Sequence, residues 1–184
     1  MVKVALKVAA LGGIFYLLGR YLIHQAGMDF TSAEEWLFRI VLIVFVIAAI
    51  TAVKASKNAY ITFTEGLSVG LWTTLFLAVF VSMGTLFFCH YIYPDYTEGL
   101  EENYREFHYN KMMTKYIAEE WEMDTITQGA MDTVQNGLEL NIKNYTGHQF
   151  TKAGQVQISV MYSFFWGIVI SLTVALLSRR TKEF

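Results

Sequence analysis

The chain has 184 residues, of which 54% are hydrophobic and only 16% charged. That length holds one domain, and a soluble domain so small would leave much of its apolar surface in water, so lipid is the expected solvent. The net charge of −2 says little as a total, but no basic patch of nucleic-acid type occurs, and the single cysteine, Cys89, excludes an intrachain disulfide or a cysteine-based zinc centre.

The first apolar run gives a membrane span at roughly 4–23. Lys3 and Lys7 before Val8–Gly19 resemble the start of a signal peptide, but Arg20-Tyr-Leu-Ile-His24 offers no small-x-small cleavage site, so a retained helix is expected. The second span is expected at about 36–53, with an unbroken apolar centre from Ile40 to Ile50. Thr62-x-x-Glu65 is a capping box that opens the third span, about 67–92, which is long enough to tilt. The fourth span covers about 156–178.

Charge fixes the expected orientation. Lys3, Lys7, Lys54, Lys57, Arg179, Arg180 and Lys182 fall on one side, while the first loop carries Asp29, Glu34 and Glu35. By the positive-inside rule both termini are cytoplasmic and the segment at about 95–155 lies outside. That segment has eleven acids against five bases. Capping boxes at Asp95/Glu98 and Thr125/Gln128 predict two helices there. Their faces are expected to run through Leu100, Tyr104, Phe107 and Lys111 followed by Met112, Tyr116 and Ile117, and through Ile126, Ala130, Val134, Leu138 and Ile142. Tyr91, Tyr93 and Tyr96 suit an interfacial aromatic belt. The fold class is therefore all-α: residues 1–184 form a single polytopic membrane domain with four transmembrane helices and a helical extracytoplasmic hairpin between the third and fourth.

Two stripes of small residues recur every four positions: Gly66, Gly70, Thr74, Ala78 and Ser82 in the third span, and Ser159, Ser163, Gly167, Ser171 and Ala175 in the fourth. Such spacing lets helix backbones approach closely, so the two faces are expected to meet; docking another protein is the alternative. Three charges stand at span ends. Arg20 and Arg39 are expected to snorkel outward and pair with Glu34 or Glu35, and Glu65 is expected to cap a helix. The four histidines, His24, His90, His108 and His148, fall on the expected outer side without ligand spacing. No nucleotide-binding loop, serine-hydrolase elbow or zinc-protease pair occurs, and no catalytic, cofactor-binding or metal-ligating residue is identified.

The entry Ile61-Thr62-Phe63-Thr64-Glu65-Gly66-Leu67-Ser68-Val69-Gly70, the exit Tyr93-Pro94-Asp95-Tyr96, the amphipathic segment and the Leu-Leu-Ser-Arg-Arg ending carry a resemblance over nearly the whole chain. The sequence resembles the Bacteroidota family of small integral membrane proteins filed as domain of unknown function 4199. Gly66 stands where that motif would have alanine. The resemblance implies a four-helix inner-membrane protein of a diderm bacterium and transfers no catalytic residue. The reading is a non-enzymatic accessory or interaction subunit in the lipid bilayer, with a membrane-protein partner or a second copy of itself, and without cofactor or nucleic acid. A small transporter, or a membrane enzyme using the extracytoplasmic face, is the alternative.

Overall fold

The computed structural model describes residues 1–29, 32–58, 60–119 and 128–178. The described residues form α1 (Val2–Gln25), α2 (Ser32–Ser56), α3 (Phe63–Phe87), a π-helical turn (Phe88–Ile92), α4 (Tyr96–Glu119) and α5 (Gln128–Asn141). A second π-helical turn (Ile142–Thr146) and a 3-10 turn (Gly147–Phe150) lead to α6 (Lys152–Ser178). Arg179, Arg180 and Lys182 lie outside the described residues, as do Thr125, Ile126 and the side chains of Tyr116, Ile117 and Ala130.

Local chemistry sets the ends. Gly27, at φ +65°, closes α1. Its N–H bonds the His24 carbonyl at 2.9 Å while Met28 N–H bonds that of Ile23 at 3.1 Å, satisfying carbonyls the helix leaves open. At the start of α3 the Thr62 hydroxyl accepts from Glu65 N–H (3.3 Å) and the Glu65 carboxylate accepts from Thr62 N–H (3.1 Å), so the capping box is formed. Lys57 adds an ion pair to the same carboxylate. Thr62→Ala is expected to cost about 1 kcal/mol, read as a lower unfolding midpoint in detergent. An unchanged midpoint would show the box to be dispensable.

The contacts divide the chain into two compact units, residues 1–92 with 156–184 and residues 93–155. In the first, Leu42, Val46, Ile50, Val69, Leu77 and Val81 form a core with almost no exposure. Glycines bring α1 close to its neighbours. A Cβ on Gly12 would lie 2.8 Å from Leu77, one on Gly13 would lie 2.5 Å from Phe80, and one on Gly19 would lie 2.6 Å from Leu37. The pairs run in the same direction along α1 and α3, so these helices are parallel, with α2 antiparallel to both. Lys54 donates to the Ser178 carbonyl at 3.1 Å, joining the last turn of α2 to that of α6.

Outside this core the helices stay apolar. Leu11, Phe15 and Leu22 on α1, Ile40 and Val44 on α2, Val79 and Met83 on α3, and Phe165 and Leu177 on α6 are all exposed. All four helices are long and apolar enough to cross a membrane. Such a surface suits lipid, because there is no hydrophobic gain in turning leucine inward when the solvent is itself hydrocarbon.

The second unit has its own small core of Leu138, Ile142 and Phe150, packed by Leu100, Tyr104 and Tyr109. Arg105 ties α4 to α5, bonding Glu101 at 2.8 Å and Glu139 at 3.3 Å. The Glu101 hydrogen bond, aided by Glu139, raises the guanidinium pKa above its ordinary value. Val134, Leu138 and Ile142 are buried on one face of this segment, but the α4 face differs from the sequence pattern. Phe107 is 61% exposed, whereas Met113 is buried. The Tyr104 ring takes the inward place, tilted against His108 (4.1 Å) and Phe150 (5.3 Å), while position 107 falls on the exposed flank. Tyr96, expected in an aromatic belt, is likewise buried, while Tyr91 is exposed.

Candidate functional site: a buried polar cluster at the His24 end of the helices

The buried positions of α1 are Ala5, Ala9, Gly12, Gly13, Tyr16 and Arg20. Four-residue steps place Arg20 on the face that meets α3, so its side chain is directed into protein. Arg20 is only 3% exposed. The expected outward snorkelling therefore does not occur at this residue. Its Nη1 donates to Thr85 Oγ1 at 3.2 Å, its Nε lies 3.8 Å from Glu34 Oε1, and its Cζ stands 4.5 Å from the centre of the Phe88 ring. Burial makes an ion costly unless charge and hydrogen bonds compensate it, and here a carboxylate, a hydroxyl and an aromatic face all do so.

Four further residues complete the cluster. His24, one turn beyond Arg20, holds Asp29 through Nδ1 and Oδ2 at 2.8 Å. Its ring meets Phe88 edge to face with centroids 5.7 Å apart. Thr85 Oγ1 lies 3.5 Å from Ser159 Oγ, which brings α6 to the same place. Cys89, next to Phe88, is buried as a free thiol. The other charges lie apart from this cluster. Arg39 bonds Glu35 at 2.5 Å and stands 5.3 Å from the Trp36 ring and 5.4 Å from that of Trp166, while Glu65 serves the α3 cap.

The small-residue stripes of α3 and α6 face each other in antiparallel order. A Cβ on Gly66 would lie 3.3 Å from Ala175 and one on Gly70 2.7 Å from Ser171, and one on Gly167 would fall 1.9 Å from Thr74. The hydroxyls of Thr74 and Ser171 are 3.4 Å apart. Ala78, Ser82 and Ser163 are buried on the same faces, with Ser82 and Ser163 bonding carbonyls one turn back in their own helices. Ser159 ends the α6 stripe beside Thr85.

The remaining histidines are dispersed. His90 packs on Tyr91 and His108 on Tyr104, and the His148 carbonyl accepts from the Thr151 hydroxyl. Among the described residues, no three of His, Cys, Asp or Glu gather as metal ligands. Sequence reasoning missed the inward direction of Arg20 and the places of His24, Asp29, Thr85 and Phe88. The available signal was the four-residue spacing from Ala5 through Ala9 and Gly13 to the Tyr16/Arg20 pair.

The architecture defines an all-helical protein with four membrane-compatible helices and a charged cluster buried between them. The chain belongs to the family described as Protein of unknown function (DUF4199), whose model matches residues 7–180. No curated protein and no solved structure matches it significantly.

Proposed function

We propose that this chain is a non-enzymatic accessory or interaction subunit of a bacterial inner membrane. Residues 93–155 would form its contact module, and the four long helices its anchor. The observation that carries this reading is the second unit itself. It has a private core and the Arg105 ion-pair network, yet it leaves Phe107 and Leu140 about 60% exposed among charged residues. Exposed aromatic and aliphatic side chains on a polar, self-supporting unit are suited to a protein partner.

The charge distribution supports a matching orientation, with both termini cytoplasmic and the acidic unit in the periplasm of a diderm such as a member of the Bacteroidota. A topology reporter fused after Phe184 is expected to be active only in the cytoplasm, and periplasmic activity would overturn the orientation. The functional test is gentle native purification followed by native mass spectrometry. A stoichiometric membrane partner, lost on Phe107→Glu, is the expected result. A lone monomer or homo-oligomer would overturn the accessory role and favour transport or enzymatic chemistry.

A further inference from the structure

Arg39, unlike Arg20, is only partly covered by protein. Between Glu35 and Lys54 it is the one charged residue of α2. The rise from Glu35 to Lys54 is about 29 Å, close to the roughly 30 Å of a bilayer's hydrocarbon. Arg39 starts one turn inside that limit, and its Nη2 reaches back to Glu35 Oε1 at 2.5 Å. With α2 across a bilayer, guanidinium and carboxylate therefore meet at the level of the lipid headgroups.

The pair is not closed on itself. Its side chains are 30% and 47% exposed for Arg39 and Glu35. A guanidinium carries several N–H donors, yet among the described residues only Glu35 accepts from this one, and Arg39 Nε is buried without an acceptor. The rings of Trp36 on α2 and Trp166 on α6 wall the cation at 5.3 and 5.4 Å. Ring faces hold a cation in place but offer its N–H groups no oxygen. Trp36 is itself largely exposed, and tryptophan is favoured at the headgroup level. Ile43 and Ile47, four and eight residues further in, continue the Arg39 face and are both exposed. The face thus reads, from water inward, as anion, cation and apolar track. A wholly anionic headgroup meets repulsion from Glu35, and a quaternary ammonium gives that carboxylate no N–H. A phosphate with a primary ammonium beyond it suits both charges.

We propose that Arg39, Glu35, Trp36 and Trp166 form a docking site for one phospholipid with a primary-amine headgroup, phosphatidylethanolamine being the type. The phosphate oxygens accept from the Arg39 guanidinium, the ammonium donates to the Glu35 carboxylate, and an acyl chain lies along Ile43 and Ile47. The site belongs to the membrane anchor and stands apart from the contact role of residues 93–155.

The test is native mass spectrometry of the full chain in mild detergent, titrated with phosphatidylethanolamine, phosphatidylglycerol or phosphatidylcholine of identical acyl chains. One phosphatidylethanolamine is expected to bind about tenfold more tightly than either of the others. Arg39→Gln is expected to weaken it by about tenfold. Glu35→Gln is expected to remove its advantage over phosphatidylglycerol, because the anionic headgroup then faces a cation alone. Glu35 is nearly half exposed, so its replacement disturbs no core and decides the matter if Arg39→Gln does not fold. Equal binding of the three lipids by the wild type would overturn the proposal, as would an unchanged preference in Glu35→Gln. Free glycerophosphoethanolamine binding as tightly as the lipid would overturn it too, since the acyl chain would then contribute nothing.

Discussion

Gly167→Leu is expected to prevent α6 from seating on α3, with a loss of about 3 kcal/mol or more, the upper range for overpacking. The cause is specific. Even the first added carbon would overlap the methyl of Thr74, which is 2% exposed. Ile168, the next residue, lines an open groove beside α3 and is 43% exposed, so Ile168→Leu is expected to leave the protein intact. Size-exclusion profiles and unfolding midpoints of the two variants in detergent decide the matter. Equal tolerance would mean that the α3 and α6 stripes do not hold the helices together.

Arg20→Ala is the second large effect, at about 3 kcal/mol, because it strands the Glu34 carboxylate in a mostly buried site. Replacing both partners tests whether the ion pair itself is needed for stability. Arg20→Met with Glu34→Met is expected to recover part of the loss, since apolar side chains of similar bulk carry no desolvation cost. A double-mutant cycle by denaturant unfolding measures the coupling. If the double variant is no more stable than Arg20→Ala, the cost comes from lost packing on Phe88 and not from an uncompensated charge.

The four long helices were legible because apolar runs of their length have few alternatives in a short chain. Helix α3 could be placed from Thr62 and Glu65 because a capping box is read entirely within four residues. The stripes Gly66–Ser82 and Ser159–Ala175 were visible as spacing, since size alone marks a residue that allows close approach. The direction of Arg20 was harder to read. An arginine one turn from a helix end can reach water or a neighbour, and only the placement of the Gly12/Gly13 face against α3 settles which. The His24–Asp29 contact depends on the reversal at Gly27, and the π-helical turns at 88–92 and 142–146 depend on packing beyond their own sequence. Phe107 shows the limit of periodicity in a short amphipathic helix. The flank of α4 that is covered is the one carrying Leu100, Tyr104 and Tyr109 against the Leu138, Ile142 and Phe150 core.

The parallel arrangement of α1 and α3 has a consequence for biogenesis. Helices α1 and α2 leave the ribosome before α3, and they already contain the Arg20–Glu34 pair. The guanidinium thus enters its low-dielectric surroundings with a counter-ion on the adjacent antiparallel helix, before Thr85 and Phe88 have been synthesised. In the finished structure Gly12 and Gly13 leave the slot that Leu77 and Phe80 of α3 occupy. The order of translation is thereby matched to the order in which the charges can be accommodated.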